Sequence, residues 1–426
     1  TDNIIDLVFN KKRADDRKDW LGGYDRKSYL DTSAEDVTFR EFVNKELIHF
    51  SKYDCDRSIP NLMDGLKTSQ RKILYAAFKK NLTKEIKVAQ FSGYVSEHSG
   101  YHHGEASLNG AIVNMAQDYV GSNNINLLCP NGQFGTRLKG GNDSASERYI
   151  FTELNNMTRL IYPKSDDNIL ELLDDDGTKV EPIYYAPIIP MLLVNGSKGI
   201  GTGFSTDVMC YSVEDVIRYI KSYLNNGVAP TDIKINPYYE GFKGTINPME
   251  IKGGIKYLIK GKYKRIDEDT IQILELPIGT WTTDYKQFLE DLIEGDGKKK
   301  SKSKSYVKDY VDMSTDRVVD FTVTFKSGIL DKLETTMVEY NCTALEKFMK
   351  LYTTNTNTNM HMFDADDKLK LYKNAEDIVN DYYVKRYSMY EERKNYLIAV
   401  LERELCLLSN KAKYITENLN DTIDLR

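Results

Sequence analysis

The sequence predicts an α+β, multidomain chain. Three observations predict it: helical apolar spacing between about residues 38 and 189, alternating β-branched runs between about 190 and 365, and a heptad-like seam within 366–426. At 426 residues the chain exceeds what one ordinary core organises, so two or three domains are expected. A hydrophobic content of 41% with 29% charged residues places it among soluble, mostly ordered proteins.

Residues 1–37 are polar and charge-dense ("FNKKRADDRKDW"), with a break at Gly22-Gly23. They predict a helix plus linker with no core of its own, as though the chain began inside something larger. Next, Thr68 is placed to cap a helix whose apolar face is Ile73, Leu74, Ala77 and Phe78. Ser107 is placed to cap another, with Leu108, Ile112, Val113, Ala116 and Val120 facing inward. Short helices followed by the glycine-rich "INLLCPNGQFGTRLKGG" suit a helix-turn-helix with a wing.

"LLDDDGTKVE" (172–181) holds three consecutive carboxylates, but Asp-Gly is a hairpin signal and predicts a solvated turn. "FKGTINPM", "KYLIKGKYKRI", "TIQILELP" and "RVVDFTVTFK" predict strands, and "GDGKKKSKSKS" (295–305) a disordered basic loop. In the tail, Leu401, Leu405, Leu408, Ala412, Ile415 and Leu419 follow a 4-3-4-3-4 spacing, and Tyr383, Tyr387 and Tyr390 extend a similar face. Such a seam needs a partner helix, and the sequence offers no second segment of that kind.

Several function classes are disfavoured. Cys55, Cys129, Cys210, Cys342 and Cys406 are scattered and never form CxxC, which points to free thiols without a zinc site or disulfide framework. No charged start followed by an apolar stretch suggests a signal peptide. The longest apolar run, "IYYAPIIPMLLV", is interrupted by Pro187 and Pro190 and is too short to span a bilayer. The net charge of −6 speaks against nucleic acid, yet a binding face is local. Residues 57–87 carry Arg57, Lys67, Arg71, Lys72, Lys79, Lys80, Lys84 and Lys87 against Asp64 and Glu85, a balance of 8 − 2 = +6. The alternative reading of that segment is a solvated helix face.

"HSGYHHGE" gathers His98, His102 and His103 beside Glu105. The HExxH spacing that sets two imidazoles on one helix face is absent, so phosphate binding at a loop-to-helix junction suits these histidines better than a metal. "GSKGIGTGFS" (196–205) lacks the Gly-Lys-Ser/Thr of a nucleotide loop, but its glycines allow close backbone approach, with Ile200 standing between two of them. In "GGNDSASERYIFTEL" (140–154), a flexible lead-in delivers Arg148 and Tyr149. A phenol of pKa ~10 needs neighbouring cations or metals to attack a phosphodiester.

Taken together these stretches resemble the DNA-cleavage region of eukaryotic-type type IIA DNA topoisomerases. The resemblance is carried by "RSIPNLMDGLKTSQRKILY", "KVAQFSGYVSE", "YHHGEASL", "VGSNNINLLCPNGQFGTRLKGGNDSASERYIFTEL", "VEPIYYAPIIPMLLVNGSKGIGTGFST" and "LELPIGTWT". It implies a linker over 1–37 following an absent metal-binding domain, a winged-helix (CAP-like) cleavage domain over 38–189, a β-rich tower domain over 190–365 and a truncated coiled-coil arm over 366–426. It implies that Tyr149 attacks the DNA backbone to form a 5′-phosphotyrosine link, with Arg148, Arg57, Lys67 and His103 around the scissile phosphate. Ile200 resembles the apolar wedge that bends the duplex. Lys72, Arg71, His102, Gln133 and Arg137 lie in matching segments and are expected at the DNA.

The cofactors implied are Mg2+ and ATP, both held by portions of the enzyme outside this chain, so no metal ligands are expected here. The partners implied are double-stranded DNA, a second copy of the chain, and the metal-binding and ATPase portions, with no membrane. A nuclear location follows, or a viral replication site in nucleus or cytoplasm. Two other readings compete. A non-catalytic winged-helix module would bind DNA with Tyr149 idle, and a metal-dependent hydrolase would use the histidine pair with the aspartate run.

Overall fold

A computed structural model describes residues 2–31, 33, 35–294, 306–420 and 422. The expected basic loop at 295–305 lies outside the described residues. The chain opens with two helices, Asp2–Phe9 and Ala14–Gly22, where the sequence suggested one. They are not independent of the rest of the chain. Leu21 is buried in a cluster with Ile48, Cys55, Ile59, Phe204 and Phe363, and the buried Arg17 donates to the carbonyls of Leu7 and Asn10.

The first large core is helical. Helices Thr68–Lys80, Val88–Ser99 and Glu105–Ala116 pack through Ile73, Leu74, Phe91, Val95, Leu108 and Ile112, all buried. The predicted inner faces stand except at Val120, which lies beyond the helix end at Ala116, and two corrections apply at their starts. Thr68 is the first helical residue rather than the cap, its hydroxyl donating to the Asp56 carbonyl, and Lys67 precedes it as N-cap. Ser107 lies inside the first turn of its helix, which begins after Gly104. A two-stranded antiparallel pairing of Ile86–Lys87 with Phe151–Thr152 closes this unit.

Asp176-Gly177 makes the expected hairpin, joining Leu172–Asp175 to Thr178–Pro182. A second hairpin, Ser197–Gly201 with Phe204–Val208, is built from the glycine-rich stretch. The β-rich region then forms two antiparallel sheets. One orders Val307–Asp312, Phe321–Phe325, Thr270–Glu275 and Lys262–Arg265; the other orders Tyr352–Thr356, Gly254–Lys260 and Thr245–Ile251. Alternation does the packing: in Phe321–Phe325 the odd residues are buried and join Ile271, Ile273 and Leu289 in one cluster.

The chain ends in a 45-residue helix, Ala375–Leu419, about 68 Å long at 1.5 Å per residue. Its first four turns are bound to the body, burying Ile378, Val379, Tyr382, Arg386 and Met389. Beyond them the predicted seam faces solvent, with Leu401 62%, Leu405 66%, Leu408 60% and Leu419 77% exposed. Tyr383 departs from that seam, because it stacks on Tyr223 of the neighbouring helix with centroids 3.8 Å apart.

Candidate nucleic-acid interface

Tyr149 sits on a loop that the backbone fixes from both sides. Thr136 donates its N–H and hydroxyl to the Asp143 carboxylate at 2.8 and 2.6 Å, closing a tight turn. Gly141, at φ +82°, meets Gln117 so closely that an added Cβ would lie 2.4 Å from the amide nitrogen. Further on, the N–H groups of Ala89 and Val88 bind the carbonyls of Glu147 and Ile150 at 3.2 and 3.0 Å. These contacts strap the segment across the start of the Val88–Ser99 helix. Ile150 turns into the core at 1% exposed, while Arg148 and Tyr149 turn outward. Tyr149 is 72% exposed, and the Arg148 guanidinium carbon lies 5.9 Å from its ring centroid.

A second group lines a cleft of about 450 Å³ that includes Tyr53, Arg57, Lys72, His102, His103 and Glu181. The Tyr53 hydroxyl meets His103 Nε2, and Tyr101 packs edge-on against the same imidazole at 5.3 Å. Burial, reinforced by Arg57, His102 and Lys72, holds His103 below the usual imidazole range, so it favours the neutral form. His102 is exposed and faces Asp175 at 3.4 Å.

A third group adjoins the second through the end of the Ile48–Ser58 helix. Lys67 Nζ donates to the Lys198 carbonyl at 2.5 Å, and burial lowers its pKa. A Cβ on Gly199 would lie 1.8 Å from the Ser58 carbonyl oxygen, so only glycine lets this hairpin lie on that helix. At the hairpin's end Ile200 is 85% exposed, an apolar side chain held out to solvent.

The structure therefore joins Arg57, His103 and Lys72 in one cleft, with Lys67 and Ile200 beside it. It does not join them to Tyr149. The Val88–Ser99 helix lies between: the tyrosine loop is tied to its first residues and the histidines follow its last. That helix is twelve residues, about 18 Å, long, and Tyr149 is not among the residues lining the cleft.

The model of the family described as the A subunit of DNA gyrase/topoisomerase IV matches residues 57–426. The chain belongs to this family. Residues 1–55 match a second family model, the C-terminal associated domain of TOPRIM. The chain is 46% identical over 420 residues to DNA topoisomerase 2 of Plasmodium falciparum (isolate K1 / Thailand), covering 98% of this chain and 29% of the relative. It is 42% identical over 437 residues to DNA topoisomerase 2-beta of Homo sapiens, covering 100% and 26%. Among solved structures it is similar to the Plasmodium falciparum topoisomerase II DNA-binding, cleavage and re-ligation domain. That match has a TM-score of 0.88 at 46% identity and covers all of this chain and 55% of the other. The chain thus spans roughly a quarter to a third of these curated topoisomerases.

Two cations expected at the DNA are not available to it in this member of the gyrase/topoisomerase IV family. Arg71 is 7% exposed and is consumed by Asp64, at 2.7 and 3.0 Å, and by the Leu66 carbonyl. Arg137 is 5% exposed and pairs with Glu275 at 2.5 Å. Each is a structural ion pair, since a buried guanidinium without its carboxylate would be strongly destabilising. Lys72 is partly committed too, to Glu181 at 2.8 Å and the Ser99 carbonyl at 2.5 Å. Gln133 is exposed on the tyrosine loop.

Tyr53 was missed by sequence reasoning. Its signal was its place four residues before Arg57, one helical turn away on the same face. Among the described residues no group of three or more His, Cys, Asp or Glu could hold a metal ion. The aspartate run is otherwise engaged: Asp174 binds the Gly177 N–H and Lys179, and Asp175 faces His102. These residues do not fit a resident Mg2+. Nor does the glycine-rich hairpin fit ATP, since its strand leads into a strand rather than a helix.

Proposed function

We propose that this chain is the DNA gate of a type II DNA topoisomerase, holding a bent duplex and supplying the tyrosine that cuts and rejoins it. The observation that carries this reading is Tyr149 itself. It is largely exposed beside an outward-turned arginine, on a loop strapped at both ends, in a chain similar throughout to a cleavage and re-ligation domain.

The chemistry is a transesterification. The Tyr149 oxygen attacks phosphorus, the bond from phosphorus to the 3′ oxygen breaks, and a 5′-phosphotyrosine and a free 3′-hydroxyl result. The phenol proton is lost and the leaving oxygen gains one, so the reverse attack restores the strand. Arg148 is placed to offset charge on the non-bridging oxygens as the phenolate forms. Arg57 and His103, with Lys67 beside them, line a cleft to which the same chain's tyrosine does not contribute, which favours two copies acting on one duplex. The exposed leucine seam supports the same homodimer. Ile200, on a hairpin braced by Gly199, is placed to wedge between base pairs, trading unstacking for a bend.

In this reading residues 1–37 link to a metal-binding portion, 38–189 form the winged-helix domain, 190–365 the tower and 366–426 the coiled-coil arm. Mg2+ and ATP are used by the intact enzyme through other portions. The test is Tyr149→Phe in the full-length enzyme. Covalent protein–DNA adduct is expected to vanish while duplex affinity stays within about twofold, because only the nucleophilic oxygen is lost. Adduct at the wild-type level in that variant would end the reading. Should the wild-type enzyme form no adduct but still bind DNA in a salt-dependent way, the chain is a binding module instead.

A further inference from the structure

Beyond its two straps on the Val88–Ser99 helix, the tyrosine loop has a third anchor, and it comes from the β-rich half. Residues 275–283 run alongside residues 137–141. The Thr282 and Thr283 N–H groups donate to the carbonyls of Arg137 and Leu138 at 3.3 and 3.0 Å. Glu275, 1% exposed, holds the Arg137 guanidinium and also accepts the N–H groups of Leu276 and Lys243. The Trp281 indole lies flat against Gly140, where an added Cβ would stand 2.2 Å from the ring. Gly140 has φ +59°, so both the backbone and the indole require glycine there. Tyr119 meets the same indole edge-on at 5.8 Å, and Gly121 meets its far edge.

We propose that the 275–283 segment is a positioning device for Tyr149, fixing from the β-rich half where the phenol meets the phosphate. The inference rests on Tyr149 being the nucleophile. Its physical basis is that the loop between Gly141 and Glu147 contains no strand, and its interior ties, at Asp143 and Ala145, run back to Thr136 and Gln133 beside the 137–141 contact, so its place is set by what holds that contact and its far end. One end is held by the Val88–Ser99 helix within the same unit. The other is held by a tryptophan, a buried ion pair and two main-chain hydrogen bonds from the β-rich half. A displacement of the β-rich half relative to the helices therefore moves the tyrosine. Duplex binding that seats the two halves together sets the tyrosine in register, so trimming the indole weakens cleavage without removing a DNA contact. Trp281 is a positioning residue in this scheme, since it touches the loop and not the reacting atoms.

The experiment compares wild-type, Trp281→Ala and Trp281→Phe full-length enzymes in single-turnover cleavage at saturating duplex, with duplex affinity and thermal midpoint measured alongside. Displacing a reacting group by about 1 Å costs on the order of a hundredfold in rate. Trp281→Ala is expected to slow adduct formation by about tenfold to a hundredfold at saturating DNA, with duplex Kd within about threefold. Trp281→Phe, which keeps an aromatic face on Gly140, recovers most of the rate. Wild-type cleavage rates in both folded variants overturn the proposal and leave Tyr149 as nucleophile untouched. A loss confined to duplex affinity, with the saturated rate unchanged, also overturns it. If Trp281→Ala does not fold, Trp281→Leu, which keeps bulk but no flat ring on Gly140, takes its place: a slower saturated rate that Trp281→Phe recovers supports positioning, and an unchanged one refutes it. Absence of adduct in the wild-type enzyme would instead remove the nucleophile reading on which the proposal stands.

Discussion

The junction between the long helix and the body rests on Asp166, and removing that carboxylate should loosen the whole arm. Asp166 and Arg386 are both 3% exposed at their side chains and pair at 2.7 Å, while Arg393 adds a second contact at 3.1 Å. In Asp166→Ala the Arg386 guanidinium stays buried against Tyr390, at 4.1 Å from its ring, with no carboxylate to answer it. Among the described residues its Nε and Nη1 have no hydrogen-bond partner, so no neighbour there takes the carboxylate's place. Breaking a buried pair from one side costs about 3–5 kcal/mol. At ~3 kcal/mol per molar of urea, the upper end suited to a large unit, that moves the midpoint of the affected transition down by roughly 1 to 2 M.

The assay is urea unfolding followed by helix signal, in wild type, Asp166→Ala, Arg386→Met and Asp166→Leu/Arg386→Met. The double variant should recover most of the loss, because no uncompensated charge remains. Arg393→Ala, which removes only the more exposed partner, should cost about 1 kcal/mol or less. If Asp166→Ala shifts the transition by less than that, the reasoning from burial is wrong, and water or backbone must be satisfying Arg386.

Three further outcomes are expected. Gly199→Ala would place a Cβ 1.8 Å from the Ser58 carbonyl oxygen, forcing the hairpin off its helix; fluorescence transfer across a bound duplex should report a smaller bend, and an unchanged bend would contradict the role given to Ile200. Tyr53→Phe removes the hydroxyl that meets His103 Nε2 and should slow adduct formation by about 2- to 10-fold at saturating DNA, the range of one hydrogen bond, with rate constants as the check. Burial and Lys18 hold the His361 pKa below its ordinary 6.5. The unfolded chain therefore binds the extra proton first, and the contribution is present above pH 6.5 and lost as pH falls through the depressed folded value. His361→Gln should flatten the stability difference between about pH 7 and pH 5, read by thermal melts at each pH.

What was legible in the sequence divides by the range of the interactions involved. The outward turn of Tyr149 and Ile200 follows from local features: glycines at tight φ, an apolar neighbour that seeks the core, a hairpin of matched length. The three packed helices and the alternating strands follow from periodicity, which is equally local. The cations are different. A count of +6 over 57–87 treats every lysine and arginine as available, yet Arg71 is neutralised by Asp64 and Lys72 is engaged by Glu181, 109 residues away. Arg137 reads as a surface residue of a flexible loop until Glu275, 138 residues on, is brought against it.

Whether a charge faces solvent is a property of the fold, not of its neighbours in sequence, and charge counting fails most where the chain returns on itself. The same reasoning explains the separation of Tyr149 from His103. Nothing in their spacing along the chain says whether the backbone doubles back between them. The tyrosine loop is tied to the start of the Val88–Ser99 helix and the histidines follow its end in the chain. A rigid spacer between a nucleophile and the cations that should serve it is a poor design for one chain acting alone. In the proposed reading two symmetry-related chains on one duplex resolve this, each tyrosine meeting the partner's cleft.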